Sequence, residues 1–221
     1  MIIDLGLTDY EEAYRSQMEL VSKRKLGEIS DSVILTEHKP VFTIGRSGGK
    51  RNLLVDEATL KARGLKVLSI DRGGDITFHG PGQTVFYPII DLKSRGRDLH
   101  RYMRDLESVV IGFLNGYGII AERLKDRTGV WVGPRKIASV GIGVSNWVTY
   151  HGLSVNIDVD LSYFSMIYPC GMRGAKMTSL SDILGVRIKT RETTSMLLSS
   201  FQRIFNVKVE PLERMPEAVV I

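Results

Sequence analysis

The chain contains a single cysteine, Cys170, and its neighbours are unusual for a buried structural cysteine. Turn-forming Pro169 and Gly171 flank it, which favours a thiol presented by a turn over a position inside a helix or strand. A lone cysteine is more often a small buried hydrophobe, so both interpretations stand at this level. A thiol with its ordinary pKa of about 8.5 is mostly protonated at neutral pH, and a neighbouring cation would lower that pKa.

Lys136 is the best candidate for that cation. It precedes the strand-like apolar segment 137–140, which would fix its position and partly desolvate it. The alternative is a solvated hairpin lysine, the ordinary case, and the sequence alone does not place Lys136 beside Cys170.

His79 and His151 each precede a glycine. Either could act as a base or as a structural residue capping a turn.

A glycine-rich stretch at 71–83 separates two apolar runs that are predicted strands. It contains four glycines together with Arg72, His79 and Gln83. Glycine permits positive φ and close approach of the backbone to a ligand, so we predict a binding loop held between two strands. A tight hairpin with turn glycines is the alternative, but a hairpin does not require the nearby polar side chains.

Hydrophobic periodicity predicts the elements that would position these residues. We expect helices over 8–25, 56–63, 99–114, 179–184 and 190–205. A capping box of Thr8 and Glu11 would begin the first helix. We expect strands over 31–37, 41–44, 66–70, 84–90, 137–145, 147–150, 153–157 and 207–210. Strands outnumber helices, which indicates an α+β or mixed α/β domain with the helices packed on one side.

Length and composition favour one domain over residues 1–221, with room for a small lobe, since the chain has 221 residues of which 43% are hydrophobic. No apolar run approaches the ~20 residues of a membrane span, so we expect no membrane partner. The N-terminus lacks the basic and apolar regions of a signal peptide. The expected location is therefore cytoplasmic.

A net charge of +5 favours an acidic partner. Nucleic acid is not expected, because zinc-finger spacings, RNP-like aromatic motifs and basic arms are absent from the sequence. No histidine pair has metal-ligand spacing, and neither a P-loop nor a GxGxxG motif after a strand is present. We therefore expect no metal and no cofactor.

Several segments together resemble one known family, the lipoyl(octanoyl) transferases, which transfer an octanoyl group from acyl carrier protein to a lysine of lipoyl domains. The most specific are RGGDITFHGPGQ at 72–83 and PCGM at 169–172. The full matching set is 37–41, 72–83, 129–132, 136–141, 147–156, 169–172 and 178–180. Two departures are conservative in size: Phe78 where tyrosine is common, and Ser154 where alanine is common.

The resemblance implies a fold of the biotin/lipoate-protein-ligase type, in which helices flank a central mixed β-sheet. It implies that Cys170 carries an acyl-thioester intermediate and that Lys136 lowers the pKa of the thiol. The substrate-binding residues that it implies are Arg72, Gly73, Gly74, Asp75, Ile76, Thr77, Phe78, His79, Ser139, Val140, Gly141, Gly152, Leu153 and Ser154.

The resemblance also implies the reaction partners. Octanoyl-acyl carrier protein would be the donor. The acceptors would be the lipoyl domains of 2-oxoacid dehydrogenase E2 subunits and the glycine cleavage H protein. Both kinds of partner are typically acidic, which suits a basic chain, and thioester exchange onto a thiolate needs no ATP.

Three alternatives compete with this reading. An ATP-dependent lipoate-protein ligase has the same fold, but Cys170 and the form of the glycine-rich stretch argue against it. A non-catalytic module that docks on lipoyl domains or carrier proteins would not need an intact Cys170 and Lys136. In a thioesterase, water instead of lysine would accept the acyl group.

Overall fold

The computed structural model describes residues 1–207, and these form helices on a large sheet beside a smaller sheet. The helices are α1 (Tyr10–Leu26), α2 (Glu57–Ala62), α3 (Leu99–Asn115), α4 (Leu180–Leu184) and α5 (Thr190–Phe205). The strands are β1 (Ile2–Thr8), β2 (Ser32–His38), β3 (Val41–Ile44), β4 (Lys66–Ser69), β5 (Ile76–His79), β6 (Gln83–Ile89), β7 (Glu122–Leu124), β8 (Arg127–Val132), β9 (Arg135–Ser145), β10 (Val148–Asn156) and β11 (Lys176–Met177).

The large sheet has the strand order β1-β2-β6-β10-β9-β8-β7, and β11 pairs with β9. It is mixed, because the β1–β2 and β9–β11 pairs are parallel while the others are antiparallel. Side chains alternate between the two faces of a strand. In β2, Val33 and Leu35 accordingly lie in the core beneath α3 and α5, whereas Ile34 packs against α1 on the opposite face. Helices thus cover both faces, and the expectation of helices on one side was wrong.

The small sheet has the strand order β4-β3-β5 and its own apolar core. Strand β5 lies inside the glycine-rich stretch, which we expected to be one continuous loop; the loop proper is shorter. The residues of β5 alternate: Ile76 and Phe78 are buried in the core of this sheet. The other two residues, Thr77 and His79, point to the opposite side. The sequence did not indicate this strand, because it is only four residues long and lies among glycines.

Helix α1 begins at Tyr10, two residues later than predicted. Asp9 precedes it with extended backbone but makes no side-chain cap, and the hydroxyl of Thr8 donates to Glu12 Oε2 at 2.9 Å. The predicted capping box of Thr8 and Glu11 is therefore wrong. Strand β1 ahead of the helix was not predicted; it is held by parallel pairing with β2, which a local pattern does not reveal.

Strand β10 is continuous, although two separate strands were predicted at 147–150 and 153–157. His151 has φ of +54° within it, an unusual value for a residue with a Cβ. The chain nevertheless stays paired with β9 on both sides of this residue. The predicted strand at 207–210 falls almost entirely outside the described residues.

Candidate active site

Lys136 and Cys170 meet in the structure. The Nζ atom of Lys136 lies 3.1 Å from Sγ of Cys170, and Lys136 is only 1% exposed. The pairing of β11 with β9 brings the two together, since Met177 lies beside Lys136 and the Thr178 N–H donates to the Lys136 carbonyl at 2.9 Å. The segment that follows Cys170 is therefore anchored to the strand that carries the lysine.

A short 3-10 turn, Pro169–Gly171, presents the thiol. Cys170 has φ of +55°, in the left-handed region that a residue with a Cβ rarely adopts. Backbone hydrogen bonds hold it there, from Gly171 N–H to Tyr168 O at 2.9 Å and from Met172 N–H to Pro169 O at 3.1 Å. The turn is also joined to the 3-10 segment Lys50–Asn52, because Tyr168 N–H donates to Asn52 O at 2.8 Å.

The surroundings of Cys170 favour the thiolate. Burial raises the pKa of the thiol, but the charge and hydrogen bond of Lys136, the charge of Arg72 and a hydrogen bond with Ser139 outweigh it, so the pKa is lowered from its ordinary value. A larger fraction of Cys170 is therefore ionised near neutral pH than in a free thiol, and the thiolate is the nucleophilic form.

Lys136 is a buried cation with specific partners. Its Nζ donates to the Thr128 carbonyl at 2.9 Å and lies 5.7 Å from the centre of the Trp131 ring. A Cβ at Gly129 would lie 2.5 Å from Lys136 Cε, so a glycine is required there to leave room for the lysine. These contacts confine the ammonium group to the vicinity of the sulfur.

Both residues open onto a cavity of about 310 Å³. Most of the predicted substrate-binding residues line it: Arg72, Gly73, Gly74, Asp75, Thr77, His79, Ser139, Val140, Gly141, Gly152, Leu153 and Ser154. Ile76 and Phe78 do not; their side chains lie in the core of the small sheet, because alternation along β5 directs them away from the cavity.

Other residues that line the cavity come from distant elements and were not predicted from the sequence. Tyr10 of α1, Tyr87 of β6 and Met103 of α3 all contribute to the wall. Each belongs to an apolar stripe of its own element, so no local signal distinguished it from an ordinary core residue. The residues 126–128 before and within β8 also reach the cavity.

Arg72 is packed between glycines. Its Nη2 donates to the carbonyl of Thr43 at 2.8 Å and to its hydroxyl at 3.0 Å. A Cβ at Gly45 would lie 2.8 Å from Nη1 of Arg72, and one at Gly141 would lie 3.0 Å from its Cδ. The guanidinium is thus fixed by backbone and hydroxyl acceptors, and its positive charge supports the thiolate of Cys170.

His151 is held in a defined network. Its Nε2 lies 2.9 Å from Asp71 Oδ1, and its Nδ1 lies 3.3 Å from the hydroxyl of Tyr10. A proton on Nε2, donated to the carboxylate, leaves Nδ1 to accept from the tyrosine. Burial lowers the pKa of His151 to about 4 despite the nearby carboxylate. The imidazole is therefore neutral at neutral pH.

His79 is neutral for the same reason. Its Nδ1 lies 2.6 Å from Oε1 of Gln83, and burial holds its pKa well below the ordinary value. Gln83 Nε2 donates in turn to Asn156 Oδ1 at 2.9 Å. The histidines that line the cavity thus provide neutral polar groups, and the positive charge in the wall comes from Lys136, Arg72 and the exposed Arg127.

Neither a metal centre nor a membrane-crossing helix is present in residues 1–207. No three or more histidine, cysteine, aspartate and glutamate side chains there are grouped so that they could hold a metal ion. No helix of this part of the chain is long and apolar enough to span a bilayer.

A cysteine whose thiolate is favoured, paired with a buried lysine at a small cavity, is an arrangement that can attack an acyl or similar carbonyl group. The fold and this site together belong to a known class. The model of the lipoyl protein ligase A/B catalytic domain matches residues 9–202, and the chain belongs to that family.

This chain is similar to relatives in the family over nearly their full length. The chain is 48% identical over 201 residues to an octanoyltransferase of Rubrobacter xylanophilus, covering 90% of each chain. It is 44% identical over 207 residues to one of Solibacter usitatus, covering 94% of this chain and 93% of the relative. The resemblance noted in the sequence is thereby confirmed.

Solved structures confirm the predicted fold class. A putative lipoate protein ligase from T. acidophilum, with lipoic acid bound, superposes with a TM-score of 0.75 at 16% identity, covering 98% of this chain and 89% of that one. The biotin protein ligase of Aquifex aeolicus has a TM-score of 0.58 at 15% identity, covering 93% and 70%. At these identities the likeness concerns the fold alone.

Proposed function

We propose that this protein is an octanoyltransferase of lipoate biosynthesis that transfers the octanoyl group through a thioester on Cys170. The relatives named as octanoyltransferases support the activity. The observation that carries the covalent route is the 3.1 Å contact between Lys136 Nζ and Cys170 Sγ at the edge of the cavity. Thioester exchange onto a thiolate needs no nucleotide.

In the first half-reaction the Cys170 thiolate attacks the carbonyl carbon of the donor thioester. The bond from that carbon to the donor sulfur breaks, and a new thioester forms on Sγ. The departing sulfur takes a proton from the ammonium group of Lys136, so the donor leaves as a thiol. Lys136 is then neutral beside a neutral thioester and no longer has a negative partner to retain a proton.

In the second half-reaction a lysine amine of the acceptor attacks the acyl-enzyme. This lysine gives one proton to solvent before it attacks, and Lys136 takes the second from the attacking nitrogen as general base. The amide forms as the Cys170 sulfur departs as a thiolate. The original ammonium–thiolate pair is restored, which closes the cycle.

The acyl chain belongs in the cavity lined by the residues around 72–79, 139–141 and 152–154. Its volume of about 310 Å³ lies at the small end of ligand pockets, which span roughly 300–1,000 Å³. That size suits one short acyl chain. Ile76 and Phe78 would support the wall from behind instead of contacting the chain.

Charge at the edge of the site supports an acidic donor such as acyl carrier protein. Lys50 and Arg51 are exposed beside Asn52, whose amide donates to Asp75 of the cavity wall at 2.6 Å. Arg127 lines the cavity, and Arg173 follows the thiol by three positions. Within residues 1–207 none of these four cations has an acidic partner within 4 Å, so they are available to a negatively charged surface.

The acceptors would be lipoyl domains, of 2-oxoacid dehydrogenase E2 subunits and of glycine cleavage H protein. That residues 1–221 form a single domain also remains a prediction.

Intact-mass measurement tests the proposal. The enzyme is incubated with octanoyl-acyl carrier protein without ATP, and a lipoyl domain is then added. We expect an octanoyl adduct that hydroxylamine removes, followed by its transfer to the lipoyl domain; Cys170→Ser should form no thioester and should not turn over. Transfer only from free octanoate with ATP would instead establish a ligase. Loss of the adduct to water without acceptor would indicate a thioesterase, and no adduct would leave a docking module.

A further inference from the structure

A buried carboxylate lies behind the lysine of the site. Glu107 of α3 is 2% exposed, and such a group is seldom buried without partners. Its Oε2 accepts from Arg123 Nε at 3.0 Å and from Arg104 Nη1 at 3.3 Å, both from arginines that reach the surface. Its Oε1 accepts from the backbone N–H of Gly129 at 2.8 Å.

That N–H belongs to the peptide group that also binds Lys136. The carbonyl of Thr128 and the N–H of Gly129 are the two ends of one planar peptide unit. Thr128 O accepts from Lys136 Nζ at 2.9 Å, while Gly129 N–H donates to Glu107. One rigid plane therefore connects the carboxylate on one side with the ammonium group on the other.

The sheet does not hold this peptide by itself. The pairing of β8 with β9 shifts register between Val130 and Trp131, next to Gly129, and Gly129 has φ of +121°. A bulge interrupts the ladder and leaves backbone groups that need other partners. The Oε1 atom of Glu107 provides such a partner for the N–H of Gly129.

We propose, on the basis of the proposed function, that Glu107 is a positioning residue for Lys136. By fixing the Thr128–Gly129 peptide plane, it directs the Thr128 carbonyl at Nζ and keeps Nζ within hydrogen-bond distance of Cys170 Sγ. A hydrogen bond to the N–H end of a peptide also polarises its carbonyl, which strengthens the bond to the ammonium. Without Glu107 the plane can turn, and Lys136 loses the acceptor opposite the sulfur.

The test compares Glu107→Ala with Arg123→Gln. Both remove buried polar contacts around the same carboxylate, but only the first removes the acceptor of the Gly129 N–H. For Glu107→Ala we expect the single-turnover acylation rate to fall on the order of 10- to 100-fold, since displacing a reacting group by about 1 Å costs about 100-fold. The KM for the donor should stay within about twofold, because Glu107 does not line the cavity.

The pH profile of Cys170 alkylation by iodoacetamide is the second measurement, and it needs no acyl substrate. Its midpoint should move to higher pH in Glu107→Ala and stay in place in Arg123→Gln. Should Glu107→Ala fail to fold, Glu107→Leu fills the same space without an acceptor, and the same shift is expected.

Two results would overturn the inference: a folded Glu107 variant with the wild-type profile, or an equal shift in Arg123→Gln, which would reduce Glu107 to a structural role. Because alkylation reports the lysine–thiol geometry in the free enzyme, its outcome is independent of whether octanoyl transfer itself is confirmed.

Discussion

The ammonium nitrogen of Lys136 lies 3.1 Å from the sulfur of Cys170, although 34 positions separate the two residues in the chain. The lysine is almost fully buried and the cysteine only partly so. A buried cation is costly unless an anion or a set of acceptors compensates it. The Cys170 thiolate and the Thr128 carbonyl provide that compensation, so the same contact stabilises Lys136 and activates the nucleophile.

Removing the lysine charge should make the thiol less reactive at neutral pH. In Lys136→Met the pKa of Cys170 should rise, because the largest favourable contribution to the thiolate is lost while burial still disfavours it. Opposite charges at this range shift a pKa by about 1–3 units, so alkylation by iodoacetamide at pH 7 should slow at least about 10-fold. Lys125→Met, at an exposed position, serves as the control and should keep the wild-type midpoint. An unchanged midpoint in Lys136→Met would contradict the pairing.

Replacing the lysine by arginine should separate the two half-reactions. Lys136→Arg keeps a cation near Cys170, so part of the acylation rate should survive. Guanidinium does not release a proton usefully, so transfer to the lipoyl domain should fall by at least about 100-fold, the range for a lost general base. Rapid-quench measurements of each half-reaction distinguish these steps. If transfer proceeded at the wild-type rate, the base would have to be sought elsewhere, with His79 or His151 next.

A side chain at Gly141 should disturb the cavity through Arg72. In Gly141→Val the added Cβ would lie 3.0 Å from Arg72 Cδ and 3.0 Å from the carbonyl of Gly73. We expect a KM for the octanoyl donor raised several-fold, or a shift toward shorter acyl chains, as measured with a series of acyl donors. Gly118→Asn tests the effect of losing a glycine elsewhere, since its Cβ would meet nothing within 4 Å and asparagine tolerates positive φ. Kinetics of Gly141→Val that match those of Gly118→Asn would count against this placement of the chain.

Buried histidines should make the fold sensitive to acid. Burial lowers the pKa of His38 and of His151 to about 4, whereas both titrate near 6.5 when unfolded. As pH falls from about 6.5 to about 4, the unfolded state gains protons that the folded state does not bind. The free energy of unfolding should therefore fall, by about 1.4 kcal/mol per pH unit for each such histidine.

Urea titrations at a series of pH values would measure this slope. His38→Gln should make it shallower, and the exposed His100→Gln should leave it unchanged. A free energy of unfolding that stayed level between pH 6.5 and 4.5 would show that the buried imidazoles bind protons in the folded state.

Reversing charge beside the site should affect a protein donor more than a small one. In the double variant Lys50→Glu, Arg51→Glu we expect the KM for octanoyl-acyl carrier protein to rise about 10-fold at low salt and the difference to shrink at high salt. The rate with octanoyl-pantetheine, which lacks the acidic protein, should change little. Equal loss with both donors would show that these residues act on the cavity and not on the partner.

The sequence by itself determined most of the helices and strands, because apolar residues recur at the period of each element. It also indicated Cys170 as a candidate nucleophile, since the flanking proline and glycine favour a thiol presented by a turn. The motifs at 72–83 and 169–172 were specific enough to indicate the family, and the relatives agree.

Only the tertiary structure decided how these pieces meet. Lys136 reaches Cys170 because β11 pairs with β9, a contact between segments that no local pattern reports. Tyr10 and Tyr87 read as core residues of separate elements, and both turned out to line the cavity. Ile76 and Phe78 lay within a binding motif yet face away, because alternation along a strand is set by its pairing. Local propensity acts within a few residues, whereas a site is assembled by contacts between distant ones.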